Sequence, residues 1–325
     1  MSMPHALITG GAGFIGSHLV DYLLKKAYRV TVIDNLSTGR LQNIQQHIQN
    51  KNFHLVVEDM RNAMVTDRYV SECDIIFHMA AAVGVQKIID EPINTIETNI
   101  GGTEVLLKAA RRYRKKIMVA STSEVYGKGV NIPFTEGDDS LLGSTTKSRW
   151  SYAASKAIDE FLALAYHYEA DLPVVIFRLF NTIGPRQAGQ YGMVVPRFVQ
   201  WAMSDQPIQV YGDGEQTRSF GNVYDAVDAI YRLSVSDEAV GELFNIGNNQ
   251  EISIHELAQL VKERTDSQSD ITLIPYNEAY TTPGFEDFRR RVPSIDKIGR
   301  VVGWEPQTQL PETIDQIITY FQERA

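Results

Sequence analysis

Tyr152 and Lys156 are the two residues whose types and spacing could do chemistry together. They lie four apart in Trp150-Ser151-Tyr152-Ala153-Ala154-Ser155-Lys156, inside a run without Gly or Pro through Leu172. A helix over that run stacks both side chains on one face. A phenol titrates near pH 10, at about the value of free tyrosine, and a fixed ammonium beside it favours the phenolate. The pair therefore suits a tyrosine base with a lysine activator. Such a base takes a proton from an alcohol while the carbon beneath it gives up hydride, provided that a hydride acceptor lies alongside. Standing alone, Tyr-x-x-x-Lys is far more often a surface tyrosine over a solvated lysine. The elements earlier in the chain decide between the two.

The acceptor's site is written at the N-terminus. Residues 6–9 read as a short apolar strand that runs into Gly10-Gly11-Ala12-Gly13-Phe14-Ile15-Gly16, and 17–26 read as a helix. Strand, glycine turn and helix in that order make a dinucleotide site. Gly10, Gly13 and Gly16 let backbone approach a pyrophosphate, the helix N-terminus supplies N–H groups and partial positive charge, and Phe14 and Ile15 count among the cofactor contacts. A second strand, 29–33, ends at Asp34. Its carboxylate suits the adenosine ribose hydroxyls and repels the 2′-phosphate of NADP, so NAD is favoured, although Arg40 in Asn35-Leu36-Ser37-Thr38-Gly39-Arg40 pulls the other way. Asn35, Ser37, Thr38 and Gly39 count as cofactor contacts. A third strand, 53–57, ends in Glu58-Asp59-Met60-Arg61, where Asp59 and Met60 either meet adenine or close a turn. A fourth, 74–79, ends in His78-Met79-Ala80-Ala81. Ala80 and Ala81 permit close approach of a ligand, whereas His78 reads as structural. A helix over 97–112 carries Asn99, and a strand over 116–120 delivers Thr122, Ser123 and Glu124 to the edge of the sheet.

Short apolar strands alternating with helices predict an α/β fold, a Rossmann-type doubly wound parallel sheet with ligands outside its carboxyl edge. Residues 128–148 are polar and read as a loop over the active site. After a strand over 173–178 the rhythm weakens: a helix over 193–203, a strand over 208–211, a helix from 224, a strand over 243–246 and helices over 254–263 and 312–322. The expected division is a cofactor-binding domain over 1–180 and a smaller, substrate-binding C-terminal region over 181–325, with 243–246 returning to the sheet.

Composition narrows the function classes. The chain has 325 residues, 43% apolar and 22% charged, ample for such a core. A net charge of −9 disfavours nucleic acid or an acidic membrane as partner. The single Cys73 forms no intrachain disulfide and no metal cluster, so no metal is expected and a reducing compartment is favoured. The first residues are too polar for a signal peptide, and no apolar stretch approaches the roughly 18 residues of a membrane span. The expectation is a cytoplasmic protein.

Gly10-x-x-Gly13-x-x-Gly16, Asp34, His78-Met79-Ala80-Ala81, Asn99, Thr122 and Tyr152-x-x-x-Lys156 together resemble the extended short-chain dehydrogenase/reductase family of nucleotide-sugar epimerases, dehydratases and decarboxylases. The likeness spans nearly the whole chain. It implies that Gly10, Gly13, Gly16, Asp34 and Lys156 bind NAD, that Tyr152 is the base and that Thr122 hydrogen-bonds the reacting hydroxyl of a sugar. Asn181-Thr182-Ile183-Gly184-Pro185-Arg186 resembles the sugar-nucleotide segment, which points to Asn181 and Arg186, with Val195 on the next helix. Arg218 and Arg291 match positions where the family grips the diphosphate, which suits a planar guanidinium. The alternative for Arg289-Arg290-Arg291 is a solvated patch. Tyr211 falls near the base or in the core. The family commonly dimerises through helices that include the tyrosine helix, so a homodimer is expected.

Such enzymes oxidise C4 of the bound sugar and differ in the fate of the 4-ketone. Thr122-Ser123-Glu124-Val125-Tyr126-Gly127 is similar to the UDP-glucuronate decarboxylases, as are Arg149-Trp150-Ser151-Tyr152 and Phe285-Glu286-Asp287. Many epimerases lack a carboxylate at the Glu124 position, and the Asp-Glu pair of nucleoside-diphosphate-glucose dehydratases is absent. GDP-mannose dehydratases share the Thr-Ser-Glu pattern. Decarboxylation of UDP-glucuronate is therefore preferred, ahead of 4-epimerisation of UDP-glucose or UDP-glucuronate and of 4,6-dehydration. Intact Thr122, Tyr152 and Lys156 argue against an NAD-binding regulator without turnover. Glu124 is either a proton donor at C5 or the cap of a turn.

Overall fold

The computed structural model describes residues 3–82, 84, 91–189, 193–279 and 289–324. The Phe285-Glu286-Asp287 stretch lies outside the described residues. Seven strands form one parallel sheet: β1 (His5–Thr9), β2 (Arg29–Ile33), β3 (Phe53–Val56), β4 (Ile75–His78), β5 (Lys116–Thr122), β6 (Val174–Leu179) and β11 (Leu243–Ile246). Their order across the sheet is β11-β6-β5-β4-β1-β2-β3. The first strand pairs with β2 on one side and β4 on the other, so the strand order reverses beside Gly10. That reversal opens a crevice at the carboxyl ends of the strands.

The strands are mostly apolar and largely buried because helices cover both faces. One face packs against α1 (Phe14–Lys25) and α6 (Val223–Ser234), through residues such as Leu19, Leu23, Val227 and Ile230. The other packs against α2 (Ala63–Glu72), α3 (Pro92–Tyr113) and α4 (Trp150–Ala170), with Leu106, Leu107, Ala110 and Ala163 buried there. A separate apolar core joins α5 (Val194–Met203), α7 (Ile254–Arg264) and α8 (Leu310–Gln322) to the strand pair β8 (Ile208–Tyr211) and β13 (Ile271–Ile274). Two further pairs are β7 (Thr182–Ile183) with β10 (Gly221–Asn222) and β9 (Thr217–Ser219) with β12 (Glu251–Ser253). No helix among the described residues is long and apolar enough to cross a membrane. Cys73 is fully buried, and burial pushes its thiol up to about 12, so it packs rather than reacts.

Several boundaries differ from the pattern-based ones for identifiable reasons. The first helix begins at Phe14 rather than 17, because Gly13 is its N-cap. The third begins at Pro92 rather than 97, where proline fits the first turn. The fifth strand runs on to Thr122, so the threonine is held by the sheet itself. Residues 128–148 do not cover the site, since none of them lines the cavity at the carboxyl edge. Phe134 anchors that segment elsewhere. It stacks on Tyr126 at 4.6 Å, its N–H donates to Val292 O at 2.8 Å, and its carbonyl accepts from Ser294 N at 2.7 Å. The segment thus carries Arg291 toward the sheet.

Candidate active site

A cavity runs along the carboxyl edge from the glycine turn to Arg291. At one end, Gly10 has φ +71° and its N–H donates to Ile33 O at 2.9 Å. A Cβ at Gly10 would lie 2.7 Å from the Ala80 backbone, and one at Gly16 would strike Gly10 O. The turn can form only with glycine at these positions, and it brings backbone against the cavity. The first turn of α1 has no side-chain cap, which leaves its N–H groups for an anion. Phe14, Ile15, Gly13 and Gly16 all line this end.

Asp34 closes the second strand. Oδ2 accepts from Ala12 N and Oδ1 from Leu36 N, both at 2.8 Å, in a site only 8% exposed. Burial raises its carboxyl, and the two N–H donors oppose that shift. Asn35, Ser37, Thr38 and Gly39 line the cavity beside it. Asp59 is held by Arg61, whose Nε and Nη2 donate at 2.9 and 2.7 Å, and this partner draws the carboxyl down to about 2. Met60 packs over Gly102, and Ala80 and Ala81 form the floor. Uncapped N–H groups, close glycine backbone and a carboxylate at the end of the second strand are what a dinucleotide requires, and the residues present fit NAD.

The other end holds Thr122, Ser123, Glu124, Tyr152, Lys156 and Arg291. Tyr152 and Lys156 share one face of α4, and both are almost fully buried. Burial raises the Tyr152 phenol above its usual value; Glu124 and Asp159 add to that, and a hydrogen bond with Thr122 opposes it. Lys156 Nζ donates to Asp159 Oδ2 at 2.6 Å. The Lys156 charge is thus shared with Asp159. Arg291 Nη1 reaches Ser123 Oγ at 3.4 Å and lies 3.8 Å from Glu124 Oε1. Its neighbours Arg289 and Arg290 turn outward to Asp213 and Glu251.

Not every expected contact lines the cavity. Asn181 and Arg186 do, the latter also bonded to Asp21 at 2.7 Å. Asn99 lies behind the wall, accepting from Ala82 N at 2.8 Å and donating to Ser155 Oγ at 3.0 Å, so it braces α4 against the loop after β4. Val195 is fully buried in the C-terminal core. Tyr211 accepts from Arg197, and Arg218 donates to Thr217 O at 2.8 Å. Pattern reading overlooked Arg61, Thr98 and Gln187, which line the cavity, and Asp159. Arg61 lies two residues beyond Asp59, and Asp159 lies one turn after Lys156, so both were within reach of spacing arguments. Thr98 and Gln187 carry no such signal.

Residues 7–317 match the family model described as GDP-mannose 4,6 dehydratase. The chain belongs to that family. Its fold, motifs and relatives place it among the extended short-chain dehydrogenases/reductases, and it is an enzyme. It is 42% identical over 319 residues to a UDP-N-acetyl-alpha-D-glucosaminuronate decarboxylase of Bacillus cytotoxicus, covering 98% of this chain and 97% of the relative. It is 38% identical over 321 residues to UDP-glucuronic acid decarboxylase 2 of Arabidopsis thaliana, covering 98% of this chain and 68% of that one. The crystal structure of UDP-glucuronic acid 4-epimerase from Bacillus cereus, in complex with UDP-glucuronic acid and NAD, superposes with a TM-score of 0.88 at 27% identity, covering 99% of this chain and 100% of that one. NAD is the cofactor of this family member, consistent with the glycine turn and Asp34.

Asp34→Asn keeps an acceptor but removes the charge. It is expected to weaken NAD binding roughly 10-fold or more, as loss of a charge-assisted hydrogen bond does, and to narrow the preference over NADP. Fluorescence titration with both cofactors checks this.

Proposed function

We propose that the chain decarboxylates a UDP-linked uronic acid, UDP-glucuronate first and its 2-acetamido counterpart second, through a 4-keto intermediate. The observation that carries this reading is the cluster in which Arg291 reaches Ser123 and Glu124 in the cavity that Tyr152 also lines. A substrate carboxylate beside Glu124 would be repelled, and Arg291 supplies the intervening positive charge. Bound NAD supplies the hydride acceptor for C4 and later the donor. Tyr152 takes the proton of the 4-hydroxyl, with Thr122 orienting that hydroxyl. The carboxylate is then β to a ketone, so its C–C bond electrons flow into the carbonyl and CO2 leaves. Glu124, once it has taken up a proton from solvent, delivers that proton to C5. Residues 1–180 chiefly hold the cofactor and 181–325 the nucleotide sugar, a division supported by the separate core of α5, α7 and α8.

The same reading includes a homodimer and a cytoplasmic setting. Ile158, Phe161 and Tyr168 form an exposed apolar stripe on α4, and Ile93 and Ile96 are exposed on the adjoining α3. A second copy would cover this face. The buried free thiol of Cys73 suits a reducing compartment.

Incubation of UDP-glucuronate with NAD and protein, monitored by NMR, is expected to yield UDP-xylose, with a UDP-4-keto-pentose only as an intermediate. UDP-galacturonate with its carboxylate retained would make the chain a 4-epimerase. Glu124→Gln is expected to lower kcat about 10²–10⁴-fold, the usual effect of losing a proton donor. For the assembly, Phe161→Glu is expected to turn a dimer into a monomer by light scattering, and a monomeric parent would contradict the dimer.

A further inference from the structure

Behind the cavity wall lies a set of buried polar groups that the proposed reaction does not use. Thr9 Oγ1 meets His78 Nδ1 at 2.9 Å, and His78 Nε2 meets Thr103 Oγ1 at 3.0 Å. Burial pushes the His78 imidazole down to about 3, and the nearby Lys156 charge acts in the same direction. Asp159 lies one helical turn beyond Lys156, and the two side chains, 0% and 2% exposed, meet at 2.6 Å. Burial raises the Asp159 carboxyl and the Lys156 ammonium opposes that, so the two behave as one coupled unit.

A lysine activates a phenol through its charge. An ammonium clamped on a buried carboxylate presents little net charge to a third group. Tyr152, Lys156 and Asp159 fall at i, i+4 and i+7 along α4, so the three share one face, with the carboxylate on the side of the lysine opposite the tyrosine along the helix. The other charged groups around this face are Glu124, which lies against Arg291, and Glu160, which is held by Arg178 of β6 and by Ser121 of β5. From β4 comes the neutral His78, and from α3 the uncharged Thr103 and Asn99. Of these, Asp159 is the one bonded to the lysine.

We propose that Asp159 is a positioning residue that withholds Lys156 from Tyr152, keeping the tyrosine a phenol until a ligand in the cavity competes for the ammonium. Cofactor loading then creates the base, and the empty enzyme carries no standing tyrosinate. The inference rests on Tyr152 and Lys156 as base and activator, and not on which sugar is turned over.

The test is an alkaline titration of tyrosinate absorbance in the cofactor-free protein, for the parent, Asp159→Asn and Asp159→Ser, each compared with the same chain carrying Tyr152→Phe. Removing the carboxylate takes away a negative charge and frees the ammonium, and both changes favour the phenolate. The Tyr152 midpoint is expected to fall by about one pH unit or more in the folded variants. An unchanged midpoint, or a shift that persists with Tyr152→Phe, would overturn the proposal. The parent gives a reading that needs no variant to fold. NADH has an uncharged nicotinamide, so a lower Tyr152 midpoint on NADH binding supports release of the lysine, and an equal one counts against it. No substrate is present, so failure here leaves the decarboxylation standing.

Discussion

The site depends on one buried ionic knot beneath it. Glu160 of α4 accepts from Ser121 of β5 and takes a two-pronged contact from Arg178 of β6, at 2.9 and 2.6 Å. Arg178 in turn lies 4.5 Å from the centre of the Tyr126 ring, and Tyr126 OH donates to Asn245 of β11 at 2.7 Å. A single carboxylate thus pins the tyrosine helix to the strands that lead to Thr122 and Asn181. Removing one partner of such a pair would strand a buried charge at a cost of about 3–5 kcal/mol. The knot therefore holds Tyr152, on the same helix as Glu160, in register with Thr122 over the crevice.

Above the knot, the cavity is divided by charge. The glycine turn and Asp34 present backbone N–H groups and one carboxylate to a dinucleotide. The opposite end relies on Arg291, brought from far along the chain by the pairing of Phe134 with Val292 and Ser294. An acidic chain can in this way bind anionic ligands by local donors while its overall field stays negative.

Much of this was legible in the sequence because it is local. The glycine turn, Asp34 and the Tyr152–Lys156 spacing sit within single strand–turn–helix units or single helices, where side-chain direction is set by periodicity. The return of 243–246 to the sheet was also readable from its apolar run. Spacing could not supply long-range placement. Val195 faces the C-terminal core because α5 is amphipathic and turns that side inward. The polar segment 128–148 is tied down outside the cavity by contacts such as the stacking of Phe134 on Tyr126 and the bond from Asn245 N to Glu136. The Lys156–Asp159 contact is local, yet its effect arises from burial, which composition does not reveal.

The central claim is that Tyr152 and NAD oxidise C4 only transiently, with loss of the carboxylate in between. UDP-glucuronate carrying deuterium at C4 and turned over in ordinary water, and unlabelled substrate turned over in deuterium oxide, test it directly by mass spectrometry and NMR. The account predicts a pentose that keeps the C4 label in the first case and gains one solvent deuteron at C5 in the second. A product that retains its carboxylate, or a pentose whose C4 deuterium has washed out to solvent, would contradict it.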